Sequence, residues 1–357
     1  MDHIDTSLIR KMFDLASSLK NPINMSIGQP HFAMPKNIGE AVKKAVDDGK
    51  TAYTQTQGIE PLRQALTDYF RTKHNFKTEP NQVLISSGIS SLLQLLFMAT
   101  IEPGDRVLLV SPAFLIYRSL VSFFGAQEVM LPQDFTADDI KKISTNKLKL
   151  ILFSSPSNPT GYIMKKPQIE VLAELAESTG ACLVSDEIYS LYDYEKQFVS
   201  AASVYEKTLT LFGFSKSYSM TGLRLSAATG PVEIMKALTV LQQYTVVCAP
   251  SIVQWAAIEA LKTDMTDYVN DYRTKRDLIK KELTGVTEFY EPEGAFYLFA
   301  KVPGNDLEFC ERAIKEKELL VVPGRIFATE TNWVRISYAA ETDTLQRGIT
   351  ALKGLLS

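Results

Sequence analysis

The sequence predicts an α/β fold, in which a large domain built on a mostly parallel sheet covered by helices is followed by a smaller α/β domain. Three observations carry this. From about residue 40, short apolar runs alternate with amphipathic stretches of helical spacing, the pattern of βαβ units. The runs end at Gly88, Phe114, Asn158, Asp186 and Lys216, and in a parallel sheet those ends share the edge where ligands bind. After about residue 255 the texture changes to a long helical stretch, then to short strands with intervening helices.

In chain order, residues 6–20 place Leu8, Ile9, Met12, Phe13 and Leu15 near helical spacing and stop before Asn21-Pro22, which predicts a short amphipathic arm. Residues 23–30 read as a brief strand running into a turn, where Gly28 lets the backbone approach a ligand closely. Helical patterns over 41–46 and 62–71 lead to a strand at 82–86. Ser87-Gly88-Ile89-Ser90 then opens a helix with Leu92, Leu95, Leu96 and Ala99 on one face, stopped by Pro103-Gly104. The strand at 107–110 runs into Ser111-Pro112-Ala113-Phe114, and the strand at 148–153 ends in a loop holding Asn158. A helix over Ile169, Leu172, Ala173 and Ala176 closes at Gly180, ahead of a strand at 181–185 and Asp186-Glu187-Ile188-Tyr189. A strand at 208–212 breaks at Gly213. Helical stretches at 252–261 and 268–283 follow, then strands at 294–299, 319–322 and 334–338. No linker or repeat interrupts the chain. The expected organisation is an N-terminal arm with part of the small domain at 1–39, a large domain at 40–255 and a small C-terminal domain at 256–357, with the boundary in a continuous helix.

Composition narrows the function. At 357 residues and 45% hydrophobic, the chain can bury a large core with a smaller neighbour. Net charge is −3 with both signs mixed along the length, which provides neither a basic patch for nucleic acid nor a polybasic membrane anchor. No stretch approaches the about 20 apolar residues of a membrane span, and Met1-Asp2-His3-Ile4-Asp5 lacks the regions of a signal peptide. A cytoplasmic protein is expected, with small molecules or copies of itself as partners. Cys182, Cys248 and Cys310 are odd in number and far apart, and His3, His31 and His74 are equally scattered. Neither a disulfide framework nor a metal site is expected.

The chemistry centres on Gly213-Phe214-Ser215-Lys216-Ser217-Tyr218-Ser219-Met220-Thr221-Gly222-Leu223-Arg224. A lysine on the loop after a strand, flanked by hydroxyls and followed by an arginine, suits an amine that becomes a nucleophile. Taken alone, it also reads as a solvated surface charge. The run resembles the signature of the class I aminotransferases, pyridoxal-phosphate (PLP) enzymes of fold-type I in which the lysine holds the cofactor as a Schiff base. The resemblance runs from about Ile9 to the end and implies a seven-stranded sheet in the large domain. Ser7-Leu8-Ile9-Arg10-Lys11-Met12-Phe13-Asp14, Pro112-Ala113-Phe114 and Gly213-Phe214-Ser215-Lys216 look closest to aspartate and aromatic amino-acid aminotransferases. Ser226 stands where the family usually has Gly or Ala, His31 where it commonly has Asp, and Gly213 where some members have Ser.

The resemblance implies a site. Lys216 would be both anchor and general base, its pKa depressed by cationic and apolar neighbours. Asp186, otherwise a strand-end aspartate, would keep the cofactor's ring nitrogen protonated. Asn158 and Tyr189 would bind the ring hydroxyl. Phe114 would stack on the ring, where it is otherwise a core aromatic. Gly88, Ile89 and Ser90 at a helix N-terminus, with Ser215 and Arg224, would hold the phosphate. Tyr53, ahead of Gly58-Ile59-Glu60-Pro61-Leu62-Arg63, resembles the tyrosine that reaches the phosphate in the partner subunit, which implies a homodimer with shared sites. Arg335 would clamp the substrate α-carboxylate, with Gly28 and Asn158 beside it, and Pro323-Gly324-Arg325-Ile326-Phe327 fits the family's Pro-Gly-x-x-Phe. Arg325 is the candidate for a substrate ω-carboxylate. The implied activity moves the amino group of an L-amino acid, aspartate or aromatic, to a 2-oxo acid such as 2-oxoglutarate in two half-reactions. A carbon–sulfur β-lyase on the same fold stays open, as does, less in keeping with a fold that begins near the N-terminus, a PLP-binding regulatory module.

Overall fold

The computed structural model describes Leu19, residues 21–328 and residues 330–356. The amphipathic arm expected over residues 6–20 lies outside these, Leu19 apart. The strands are β1 Ile23–Asn24, β2 Val83–Ser86, β3 Arg106–Ser111, β4 Gln127–Pro132, β5 Leu148–Ser154, β6 Cys182–Asp186, β7 Leu209–Gly213, β8 Ser226–Thr229, β9 Tyr297–Lys301, β10 Leu319–Leu320, β11 Val322–Pro323 and β12 Trp333–Ser337.

Seven of them form one sheet in the order β2-β8-β7-β6-β5-β3-β4. β8 runs antiparallel to both neighbours, and the other pairings are parallel, so the expected mostly parallel, seven-stranded sheet is present. β8 is the strand that apolar runs do not mark. Its residues Ser226-Ala227-Ala228-Thr229 are small or polar, yet all are buried because ladders grip the strand on both sides.

Helices cover the sheet. The helix Ile89–Thr100 lies against β7 and β8 and under the helices Leu115–Phe123 and Val232–Thr245. Enclosed so, it buries more of its circumference than one stripe: Leu92, Leu93, Leu95, Leu96 and Phe97 are all buried, whereas Ala99, expected on the buried face, is exposed. Each such leucine contributes about 1.5–3 kcal/mol. A separate cluster joins Leu108, Ile151 and Leu183 of the strands to Ile169, Leu172 and Leu175 of the helix Lys166–Thr179. That helix ends at Gly180, whose φ of 72° is the left-handed cap that glycine adopts freely.

The remaining strands form smaller sheets, β11-β12-β9 antiparallel and β1-β10 parallel. Their core joins Ile23 and Met25 from the start of the chain to Phe296, Leu298, Ile336 and Leu352. Val253, Ala256, Ala257 and Ala260 of the helix Ser251–Ala260 pack in one cluster with Ile85 and Phe212 of the large sheet. In the helix Thr266–Leu283, Tyr272, Ile279 and Leu283 pack instead with the C-terminal strands. Among the described residues, no helix is long and apolar enough to cross a membrane.

Candidate active site

Because β2, β3, β5, β6 and β7 run in parallel, their carboxyl ends open on one edge of the sheet. A cavity of about 500 Å³ lies there. It is lined by Gly28, Ile89, Ser90, Phe114, Asn158, Asp186, Tyr189, Ser215, Lys216, Arg224 and Arg335, gathered from stretches more than 300 residues apart in the chain. Gly88 stands just behind the wall. Tyr53 does not join the cavity: it is 86% exposed and borders a separate hollow with Lys50 and Trp255.

Lys216 sits on the short helix Phe214–Ser217 that follows β7. Its Nζ donates to the Gly28 carbonyl, and the Lys216 backbone carbonyl accepts from the Tyr192 hydroxyl at 2.8 Å. Burial, reinforced by the positive charges of Arg335 and Arg224 and opposed by Asp186, lowers its pKa to about 8. The free amine is therefore within reach near neutral pH.

Asp186 ends β6 and is 3% exposed. Its Oδ2 accepts from the Tyr117 hydroxyl at 2.7 Å and its Oδ1 from the Ile188 amide at 3.1 Å. Burial raises its pKa to about 6 in spite of these two donors. Tyr117 was not among the expected residues. The signal for it was faint: it lies three residues beyond Phe114, one helical turn into Leu115–Phe123, where it also looks like an ordinary core aromatic.

On the facing wall, Arg335 in β12 is buried against two rings, its Cζ 4.5 Å from the Tyr297 centroid and 5.1 Å from that of Phe327. It donates to Asn158 Oδ1 at 3.0 Å and to the Ser26 carbonyl at 2.8 Å. Its Nε has no partner among the described residues. Tyr189 and Tyr297 touch hydroxyl to hydroxyl at 2.8 Å. Ser26, Tyr192 and Tyr297 join Tyr117 as neighbours that spacing did not single out.

At the other end, Arg224 adopts a left-handed backbone (φ 55°) and donates to the Thr221 carbonyl at 2.8 Å. Gly88 caps the helix Ile89–Thr100 at φ 89°, a positive value that glycine adopts freely, and a Cβ there would come 2.3 Å from the tip of the Arg224 guanidinium and displace it. The departure at Gly213 has a similar cause, since a Cβ would meet the Ile188 side chain at 2.9 Å. At the His31 departure, Nδ1 lies 3.1 Å from the Tyr272 hydroxyl and Nε2 accepts from Lys275 Nζ at 2.9 Å.

Arg325, the candidate for a substrate ω-carboxylate, is not brought to the cavity wall among the described residues. Its guanidinium binds Asp306 Oδ1 at 2.8 Å and Asn305 Oδ1 at 2.8 Å.

Among the described residues, the cavity's charged lining comprises Lys216, Arg224 and Arg335 against Asp186 alone. Such a site suits a ligand carrying anionic groups, with a cationic spot toward Asp186. The orphaned Arg335 Nε and the glycine-cleared space beside Arg224 fit PLP and an amino-acid carboxylate.

The family model described as aminotransferase class I and II matches residues 20–352. The probable aspartate aminotransferase of Methanocaldococcus jannaschii is 35% identical over 98% of this chain and 97% of its own. The aromatic-amino-acid aminotransferase 2 of Thermococcus litoralis is 31% identical over 100% of this chain and 97% of its own. The crystal structure of the Thermotoga maritima aspartate aminotransferase superposes with a TM-score of 0.93 at 30% identity, covering 99% of this chain and 98% of that one. Sequence, fold and strand-end cavity thus agree over nearly the whole length: the chain belongs to the class I and II aminotransferases and is an enzyme of amino-group transfer.

Proposed function

We propose that the enzyme uses PLP to transfer the amino group of an L-amino acid, aspartate or aromatic, to a 2-oxo acid, 2-oxoglutarate foremost. The observation that carries this is the pairing of Lys216, a buried amine with a pKa near 8, with Asp186 in one cavity that Arg335 closes from the far side. The names of the relatives from M. jannaschii and T. litoralis support the choice of substrates.

Bound PLP supplies an electron sink for the bond broken at the substrate Cα. The chain does the rest. Lys216 holds the cofactor covalently and then moves the proton at Cα, a task suited to an amine that titrates close to neutrality. Asp186 keeps the ring nitrogen protonated. Tyr189 and Asn158 address the ring hydroxyl, and Phe114 packs on the ring. Gly88, Ile89, Ser90, Ser215 and Arg224 hold the phosphate at the helix N-terminus. Arg335 orients the substrate α-carboxylate beside Gly28 and Asn158.

A homodimer with shared sites is part of this reading, with Tyr53 reaching the partner's phosphate. Its support is the exposure of large apolar side chains, Tyr53 at 86% and Tyr244 at 84%. We further read 40–255 as the large domain, flanked by 1–39 and 256–357. Met265 and Tyr268 still pack with the large-sheet cluster and Val269 and Tyr272 with the C-terminal one, which favours a change of partner nearer to residues 268–269. A cytoplasmic location is supported by the free thiols of Cys182, Cys248 and Cys310.

The test is an absorption spectrum of the purified protein before and after single amino acids. A visible band that bleaches with aspartate, tyrosine or phenylalanine is expected, and the order of bleaching ranks the donors. Lys216→Ala is expected to lose both the band and turnover. A fully active Lys216→Ala, or a protein that no PLP colours, rejects the assignment.

A further inference from the structure

We infer that Tyr297 is a positioning residue of this site: its hydroxyl directs the phenol of Tyr189 while its ring backs the Arg335 guanidinium, so one side chain ties together two walls of the cavity. The inference rests on the roles proposed above for Tyr189 and Arg335.

Tyr297 opens β9, is shut off from bulk solvent, and shows its side chain to the cavity. Among the described residues its hydroxyl bonds only Tyr189, at 2.8 Å. Gly28 closes the other side, since a Cβ there would stand 3.1 Å from that oxygen. Arg335 Cζ stands 4.5 Å over the Tyr297 ring, whereas its charge reaches Tyr189 without such a ring contact. The two hydroxyls can bond in either sense; the cation against the Tyr297 ring favours its O–H as the donor and Tyr189 as the acceptor. The Tyr189 proton is then left for a partner in the cavity. A hydroxyl that accepts one hydrogen bond donates the next more strongly, by about 10–30%. The ring does separate work, because together with that of Phe327 it packs against the guanidinium.

The experiment separates hydroxyl from ring. The pH titration of the visible band of the resting, PLP-loaded enzyme reads hydrogen bonding at the cofactor's ring oxygen without any turnover. Donation by Tyr189 favours the unprotonated form, so its loss raises the midpoint. Tyr297→Phe keeps the volume and the ring. It is expected to raise the midpoint by about half a unit and to leave KM for the amino acid unchanged. Tyr297→Leu is expected to raise KM as well, by about two- to fivefold. In a Tyr189→Phe background the Tyr297→Phe shift should vanish. An unmoved midpoint in Tyr297→Phe beside a raised one in Tyr189→Phe overturns the inference, as does a shift that survives in that background. A midpoint that Tyr189→Phe itself does not move rejects the proposed role of Tyr189, and the inference falls with it.

Discussion

Asp186 and Glu187 are adjacent carboxylates, both closed off from solvent, and their surroundings are opposite. Successive side chains along a strand leave by opposite faces, and here Asp186 lines the cavity while Glu187 does not. Glu187 is saturated. Its Oε1 accepts from Ser185 at 3.0 Å, Ser200 at 2.9 Å and the Ala201 amide at 3.1 Å, and its Oε2 meets His74 Nδ1 at 3.1 Å. Asp186 has two donors, Tyr117 and Ile188, and no ion pair among the described residues. Burial outweighs its two donors and the charge of Lys216 and pushes its carboxyl up to about 6. A buried charge whose partners all come from the chain fastens the fold. One left short marks where a ligand completes the structure.

The contrast can be broken by removing each carboxylate in turn. Asp186→Asn should cut turnover by about a thousandfold, because the ring nitrogen loses its counter-charge. The same variant, free of cofactor, should melt at or above the wild-type temperature at pH 7, since a poorly solvated charge is gone. Steady-state kinetics and a thermal melt read the two arms, and near-normal turnover would erase the difference between the neighbours. Glu187→Ala should behave in the opposite sense. It strands His74, two hydroxyls and an amide, and should lower the unfolding free energy by about 3–5 kcal/mol in a denaturant titration. A loss under about 1 kcal/mol would show that Glu187 fastens little.

The pH dependence sharpens the same comparison with a smaller effect. The Asp186 carboxyl has an ordinary pKa of 3.8, and about 6 in the cofactor-free fold, so between these values the native state holds the extra proton. Its contribution to stability is complete below pH 3.8 and is lost as pH rises through about 6, amounting to about 3 kcal/mol at most. Melts of cofactor-free protein at pH 5 and pH 7 should show this slope, and Asp186→Asn should flatten it. An unchanged slope in the variant would assign it to other groups.

The sequence by itself determined the strand ends. An apolar run stopped by a glycine or a polar residue marks where a strand finishes, and parallel connections force those finishing points onto one edge. Gly88, Phe114, Asn158, Asp186 and Lys216 were legible for that reason, and Arg335 and Arg224 were legible through the family resemblance. Only the tertiary structure decided the rest. β8 escaped because small residues are held by their ladders and carry no apolar signature. Tyr117 reaches Asp186 across 69 residues, Tyr297 reaches Tyr189 across 108, and Gly28 meets Lys216 across 188. Arg325, equally eligible by type, went to Asp306 instead. Periodicity reports which face a residue takes within its own element. Which side chain it meets there is set by how the elements pack, and that packing supplies the hydrogen bonds and charges that tune the site.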